Sequence, residues 1–287
     1  MTTATSRGPT PAPVPPPTVV ARNAMTGLPT LVGAAAANII MQLSFPTTAY
    51  GVYESKVESG DGRKHPVKRL RTTLTYMAVA MIGTDDDRQR YRTAVNGAHR
   101  YVRSDEDSPV KYNAFDPELQ LWITACLYVY FRDMNALLYG PPDDVTADAL
   151  YQEAMRIGTT LQMRPDMWPT DRAAFEEYWT AMLGRIEADD TIRAYMRDVL
   201  LGLGPLPWPV RTVLAPANRF LARGYLYPEF REMLGLPWTD RDQRRFEQTL
   251  RAVGRVFAAA PESIRLFPYN VCLWDMRRRA RQGKPLI

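Results

Sequence analysis

The sequence predicts an all-α fold: one large helical domain preceded by a disordered, Pro-rich N-terminal arm. Apolar residues recur at helical spacing in segment after segment, strand-like alternation is absent, and Pro or Gly punctuates most of the breaks. At 287 residues, with 46% hydrophobic and 23% charged residues, the chain can bury a large core. The arm covers residues 1–22, where TSRGPTPAPVPPPTVV has too many fixed-φ, donor-free prolines for a packed element. Residues 23–287 form the domain.

Taken in order, a buried helix is expected from Pro29 to Phe45, stopped by Pro46, and a shorter one from Thr47 to Val57 that carries Glu54. The loop SGDGRKH follows, and Pro66 opens a helix through Ile82. On that helix Arg69, Thr72, Thr73 and Tyr76 make a polar stripe, with Leu70, Leu74, Met77 and Met81 on the apolar side. After Gly83 a helix begins, with Asp85 as candidate cap and three carboxylates at its positive end. Its stripe of Tyr91, Val95, Ala98 and Val102 includes His99, and Arg103 falls one turn further on the same face.

Asp116-Pro117 starts a central helix, LQLWITACLYVYFRDMNALLYG, apolar nearly all round and closed by Gly140. Further helices are expected over Thr146–Leu161, Thr170–Ile186, Thr191–Leu201, Val210–Arg223, Thr239–Ala259 and Pro261–Arg281, with Tyr225–Trp238 irregular. Trp122 and Tyr128 read as core, and Asp116 as a cap. Carboxylate pairs such as Glu176-Glu177 and Asp189-Asp190 read as solvated.

Composition removes several functions. No GxGxxG after a strand, GxxxxGK[ST], HExxH or GxSxG is present, and neither histidine, His65 or His99, has a Glu three residues before it. Zinc is not expected from two scattered histidines and two scattered cysteines. Cys126 and Cys272 read as buried free thiols in a reducing compartment. Aromatic–basic interleaving for nucleic acid is missing. No secretory signal is evident, and Leu28–Phe45 is too polar and Ala-rich to span a bilayer, so a cytoplasmic location is expected. The basic run RRRARQGK (277–284) reads as a solvated helix end or as a contact for a membrane surface. His99 is either a hydrogen-bonded core residue or a ligand; a lone helical histidine without neighbouring His, Cys or carboxylate suits heme better than a hard metal.

The segments IIMQLSFPTTAYGVYES, RLRTTLTY with Gly83-Thr84, AHRYVR and YNAFDPELQLW occur in an order that resembles the catalytic domain of the fungal MpaB oxygenases and the bacterial rubber oxygenases, the latex-clearing proteins. The resemblance runs from Ala24 to about Phe257. It implies a globin-like helical core holding heme b, with dioxygen and a small hydrophobic, unsaturated, lipid- or isoprenoid-like substrate as partners. On matching positions, His99 is the proximal heme ligand (metal: heme iron), Arg103 steadies a propionate or the ligand helix, Glu54 is the base, and Arg69 and Thr73 shape the distal side. Two departures stand out. Thr72 takes the place of a lysine that in the rubber oxygenases can cap the distal iron, so the sixth position beside the cofactor is open, water-filled or otherwise capped. Phe45 replaces a histidine that many relatives carry. The competing reading is a non-catalytic protein of the same fold that binds a hydrophobic ligand or a partner.

Overall fold

A computed structural model describes residues 17–30, 33–57 and 61–287, and every element among them is helical apart from one isolated antiparallel bridge. The chain opens with α1 (Pro17–Ala24), α2 (Gly27–Thr30), α3 (Ala34–Gln42) and α4 (Pro46–Tyr53). Helix α1 begins inside the expected arm. Val20 and Ala21 are buried in the core, so apolar burial draws residues 17–22 into a helix. Residues 1–16 lie outside the described part. The single helix expected over Pro29–Phe45 is interrupted at Gly33, whose φ of +75° suits glycine and whose N–H is taken by Asn218 Oδ1 at 3.1 Å. A side chain there would collide with Leu221 Cβ.

Helix α5 (Pro66–Ile82) matches the sequence reading, with Pro66 in its first turn and Gly83 at its end. Helix α6 (Asp85–His99) is capped by Thr84 rather than Asp85. The Thr84 hydroxyl accepts from the Asp87 N–H at 3.2 Å, and the Asp87 carboxylate accepts from the Thr84 N–H at 2.9 Å. A reciprocal box needs its carboxylate three residues after the cap, which Thr84 has and Asp85 does not. Helix α6 also stops sooner than the stripe suggests. Past His99, Ala114 N–H bonds to Val102 O (2.9 Å) and Ser104 N–H to Tyr112 O (3.0 Å), giving the Arg103–Asn113 bridge. Arg103 is therefore exposed, extended chain and not a further helical turn.

Helix α7 (Pro117–Tyr139), capped by Asp116, is the centre. Around it lie α8 (Asp144–Thr159), α9 (Arg172–Leu183), α10 (Asp190–Tyr195) with a π-helical turn Met196–Leu201, α11 (Trp208–Tyr225) and α12 (Pro228–Met233). The last falls in a stretch expected to be irregular. Helices α13 (Asp240–Ala258), α14 (Glu262–Arg265) and α15 (Tyr269–Arg281) complete the chain. Pro268, which has no N–H, separates the last two where one helix was expected.

Helix α7 packs on α3, α8 and α13, and α15 packs on α5. The core is aromatic. Trp122 stacks on Trp179 at 5.3 Å, Tyr128 meets Phe175 edge-on at 4.8 Å, and Tyr151 stacks on Trp168 at 5.1 Å. Phe45 joins this group edge-on to Trp122 at 4.8 Å. Both cysteines are buried and unpaired. No helix among the described residues is long and apolar enough to cross a membrane.

Candidate functional site

The polar stripe of α5 is the side of that helix which packing leaves open. Thr75, Met77, Ala78, Val79, Ala80 and Met81 are buried, while Arg69 and Thr73 remain accessible to water. Arg69 is nevertheless surrounded by enough protein for desolvation to lower its pKa, against the opposing influence of Tyr195 and Tyr91. Its guanidinium makes no hydrogen bond or ion pair with any described residue, so an unpaired positive charge stands on the open side of α5.

The Thr72 and Thr73 hydroxyls do not point to a free role. Both donate to Arg69 O within their own helix, at 2.9 and 3.0 Å, and Thr72 O accepts from the Tyr91 phenol at 3.0 Å. The hydroxyl bonds stay within α5, and the Tyr91 phenol, bonded to the Thr72 main-chain carbonyl, ties α6 to α5. Tyr76, the last of the stripe, donates to Ile157 O of α8. Arg71, off the stripe, faces Asp275 of α15 at 3.7 Å.

His99 ends α6, close enough to Arg69 to feel its charge. Its pKa is pushed down to about 4, first by burial and second by the Arg69 charge. The imidazole is therefore neutral near pH 7. Its Nδ1 is buried without a hydrogen-bond partner, and its ring contact is the edge of Phe115 at 6.3 Å. The hydrogen-bonded core histidine that the sequence left open is thus not what the fold contains. An orphaned buried nitrogen costs about 1–3 kcal/mol, and a ligand that uses the ring's lone pair offsets this.

Glu54 sits at the C-terminal end of α4, and its Oε2 accepts from Ser108 Oγ at 2.8 Å and Tyr112 Oη at 2.9 Å. Burial first and the Glu54 bond second raise the Tyr112 pKa to about 12, so that phenol stays a donor. The carboxylate is anchored to the loop after α6, with no bond to Arg69 or His99. Arg103 lies on that loop too, exposed, on the bridge to Asn113.

The fold brings Arg69 of α5 to His99 of α6, carries Thr72 and Thr73 next to Arg69 on α5, and ties Glu54, at the end of α4, to the loop after α6 that also holds Arg103. Ser108, Tyr112, Phe115 and Tyr195 complete these surroundings and had no signal in the sequence, because their positions follow from loop and helix-end geometry. Phe45 lies in the aromatic core. Among the described residues no group of three or more His, Cys, Asp or Glu side chains is placed to hold a metal ion.

Residues 23–255 match the family described as ER-bound oxygenase mpaB/B'/rubber oxygenase, catalytic domain. Two mycobacterial proteins, one of Mycobacterium bovis and one of Mycobacterium tuberculosis, both described as uncharacterized, are 52% identical over 252 residues, covering 88% of this chain and 98% of theirs. No solved structure matches.

Proposed function

The chain belongs to the MpaB/rubber oxygenase catalytic-domain family, and from that premise we propose that it is a heme-b-dependent oxygenase acting with dioxygen on a hydrophobic, unsaturated, lipid- or isoprenoid-like substrate. The observation that carries the cofactor is His99. It is a neutral imidazole with an orphaned buried nitrogen, beside an unpaired guanidinium. Both groups fit a porphyrin: the imidazole has a lone pair for iron, and Arg69 has a positive charge for a propionate. Heme, when bound, supplies the iron at which dioxygen is activated.

The chain's own residues do the rest. His99 holds the cofactor, and the low pKa keeps it a ligand down to acid pH. Arg69 fixes an anionic group beside His99. Thr72 and Thr73, their hydroxyls tied to Arg69 O, keep that stretch of α5 rigid so the guanidinium stays aimed. Arg103, exposed beside the ligand helix, is available to a carboxylate at the rim. Glu54 is the base for an allylic proton. Ser108 and Tyr112 occupy Oε2, so Oε1 is the atom that takes the proton.

The absorption spectrum of the purified protein, before and after heme addition, tests this reading. A Soret band that His99→Ala removes or shifts is expected; no band, or one indifferent to His99→Ala, overturns it. Oxygen uptake with unsaturated lipids then separates an oxygenase from a non-catalytic binder of the same fold: uptake that requires heme supports the first, and none supports the second.

A further inference from the structure

A cleft of about 320 Å³ opens where α15 meets the end of α5. Ile82, which lines it, is the last residue of α5, and Arg69 lies thirteen residues back along the same helix, about 20 Å away. The cleft therefore stands apart from the surroundings of His99. Helix α15 supplies most of its wall. Asn270, Leu273, Trp274, Arg277 and Arg281 fall at i, i+3, i+4, i+7 and i+11, one face of one helix, and all five line the cleft. Leu266 and Leu273 are buried and Ile82 half-buried, while Trp274 is 57% exposed, with the Arg278 guanidinium 5.3 Å over its ring. Three guanidinium groups, of Arg22, Arg277 and Arg281, share this lining with no Asp or Glu. Two of them are answered from outside it. Glu262 accepts from Arg22 Nε at 2.5 Å, and Asp87 accepts from Arg277 Nη2 at 2.6 Å. Arg281 is exposed and makes no hydrogen bond or ion pair with any described residue. Counting the lining residues and their ion-pair partners, one positive charge is left over.

We propose that this cleft binds a small organic monocarboxylate with an apolar body. Arg281 takes the carboxylate, and Leu266, Leu273 and Trp274 take the body. Charge and lining select this ligand together. A guanidinium presents its N–H groups as a planar fork that a carboxylate meets with two parallel bonds, and Arg281 has its whole fork free. Arg22 commits only Nε to Glu262, so further N–H groups remain on the lining. One surplus positive charge matches one negative charge, and apolar walls beside it are covered by a hydrocarbon or aromatic body, not by a bare inorganic anion. The volume lies at the low end of the roughly 300–1,000 Å³ of small-molecule sites, which sets the ligand's size. The proposal does not depend on heme. The Soret band reads His99, carboxylate binding reads this cleft, and each can fail alone.

Calorimetric titration of the full chain with octanoate, with octan-1-ol and with inorganic phosphate tests it. Octanoate is expected to bind, and the other two to bind roughly tenfold more weakly or not at all. Arg281→Ala should weaken octanoate roughly tenfold, Arg281→Lys should recover part of that loss because it keeps the charge without the fork, and Trp274→Ala should weaken it as well. Trp208→Ala and Arg211→Ala, at exposed positions on α11, should bind octanoate as the parent does. Arg281 and Trp274 are exposed, so melting curves like the parent's certify folding of the variants. Absence of octanoate binding overturns the proposal. Octan-1-ol bound as tightly as octanoate overturns it by leaving the charge idle, and phosphate bound as tightly overturns it by leaving the apolar walls idle. Octanoate binding unchanged in both Arg281→Ala and Trp274→Ala also overturns it, by placing the ligand elsewhere on the chain.

Discussion

Helices α5 and α7 both pack against α8 and face opposite fates. Helix α7 is apolar nearly all round and ends with thirteen of its 23 residues buried, sealed in aromatic packing. Helix α5 is apolar in its second half and polar in its first, and burial is confined to the second: Thr75 and Met77–Met81 are buried, while Arg69 and Thr73 stay wet. The sealed region supplies stability and offers chemistry nothing to touch. The open region carries an unpaired charge and an orphaned nitrogen, and the nitrogen weakens the fold until something binds it.

The largest expected effect lies on the sealed side. Phe175 is fully buried and touches Tyr128, Trp168 and Trp179, so Phe175→Ala should cost about 3–5 kcal/mol in urea unfolding. Arg69→Met on the open side should cost nothing measurable, since the charge it removes has no partner and is open to water. Similar losses for the two would collapse the contrast. Next comes Gly254 on α13. A Cβ there would stand 1.8 Å from Leu138 O of α7, so Gly254→Ala must push the two helices apart, at about 1–3 kcal/mol.

Acid sharpens the comparison from the open side. His99 has its pKa lowered to about 4 in the folded chain, against 6.5 as the ordinary value. The unfolded chain therefore takes up its proton first. The stability that the neutral ring contributes is complete above pH 6.5 and drains away as pH falls from 6.5 to 4, by an amount on the order of 1–2 kcal/mol. His99→Gln lacks that component. Urea midpoints of the two proteins should converge or cross on acidification through this window; parallel curves would mean that the ring is not enclosed.

Much of this was legible in the residues. The periodicity of α7 and the Pro66 and Asp116-Pro117 starts set those helices within a residue or two, because proline and a capping carboxylate act locally. The α5 stripe was legible as well, since helical spacing alone puts Arg69, Thr73 and Tyr76 on one side. What stayed hidden depends on distant partners. Gly33 breaks a helix because Asn218, 185 residues away, takes its N–H. Arg103 leaves the His99 face because residues 112–114 pair with 102–104. Ser108 and Tyr112 reach Glu54 from a loop without periodicity. Only the resemblance to a family linked Glu54, Arg69 and His99 before the fold was known.

The smallest effect asks whether the helix that carries the site shares in the stability of the sealed region. Thr84 caps α6 through the Asp87 N–H, and Asp87 returns the bond while also holding Arg277 of α15. Thr84→Ala removes one of these links and should cost about 1 kcal/mol. If α6 opens only with the whole molecule, that loss appears equally in urea unfolding and in hydrogen exchange of the α6 amides. If α6 opens by itself, exchange accelerates in α6 while α7 amides keep their protection. The second outcome is expected: among the described residues only Asp87 and Tyr91 of α6 are buried, so little apolar area ties the helix down. On the proposed reading, an α6 with its own opening equilibrium would let a group as large as a porphyrin reach His99, and binding there would restore the protection that Thr84→Ala removes.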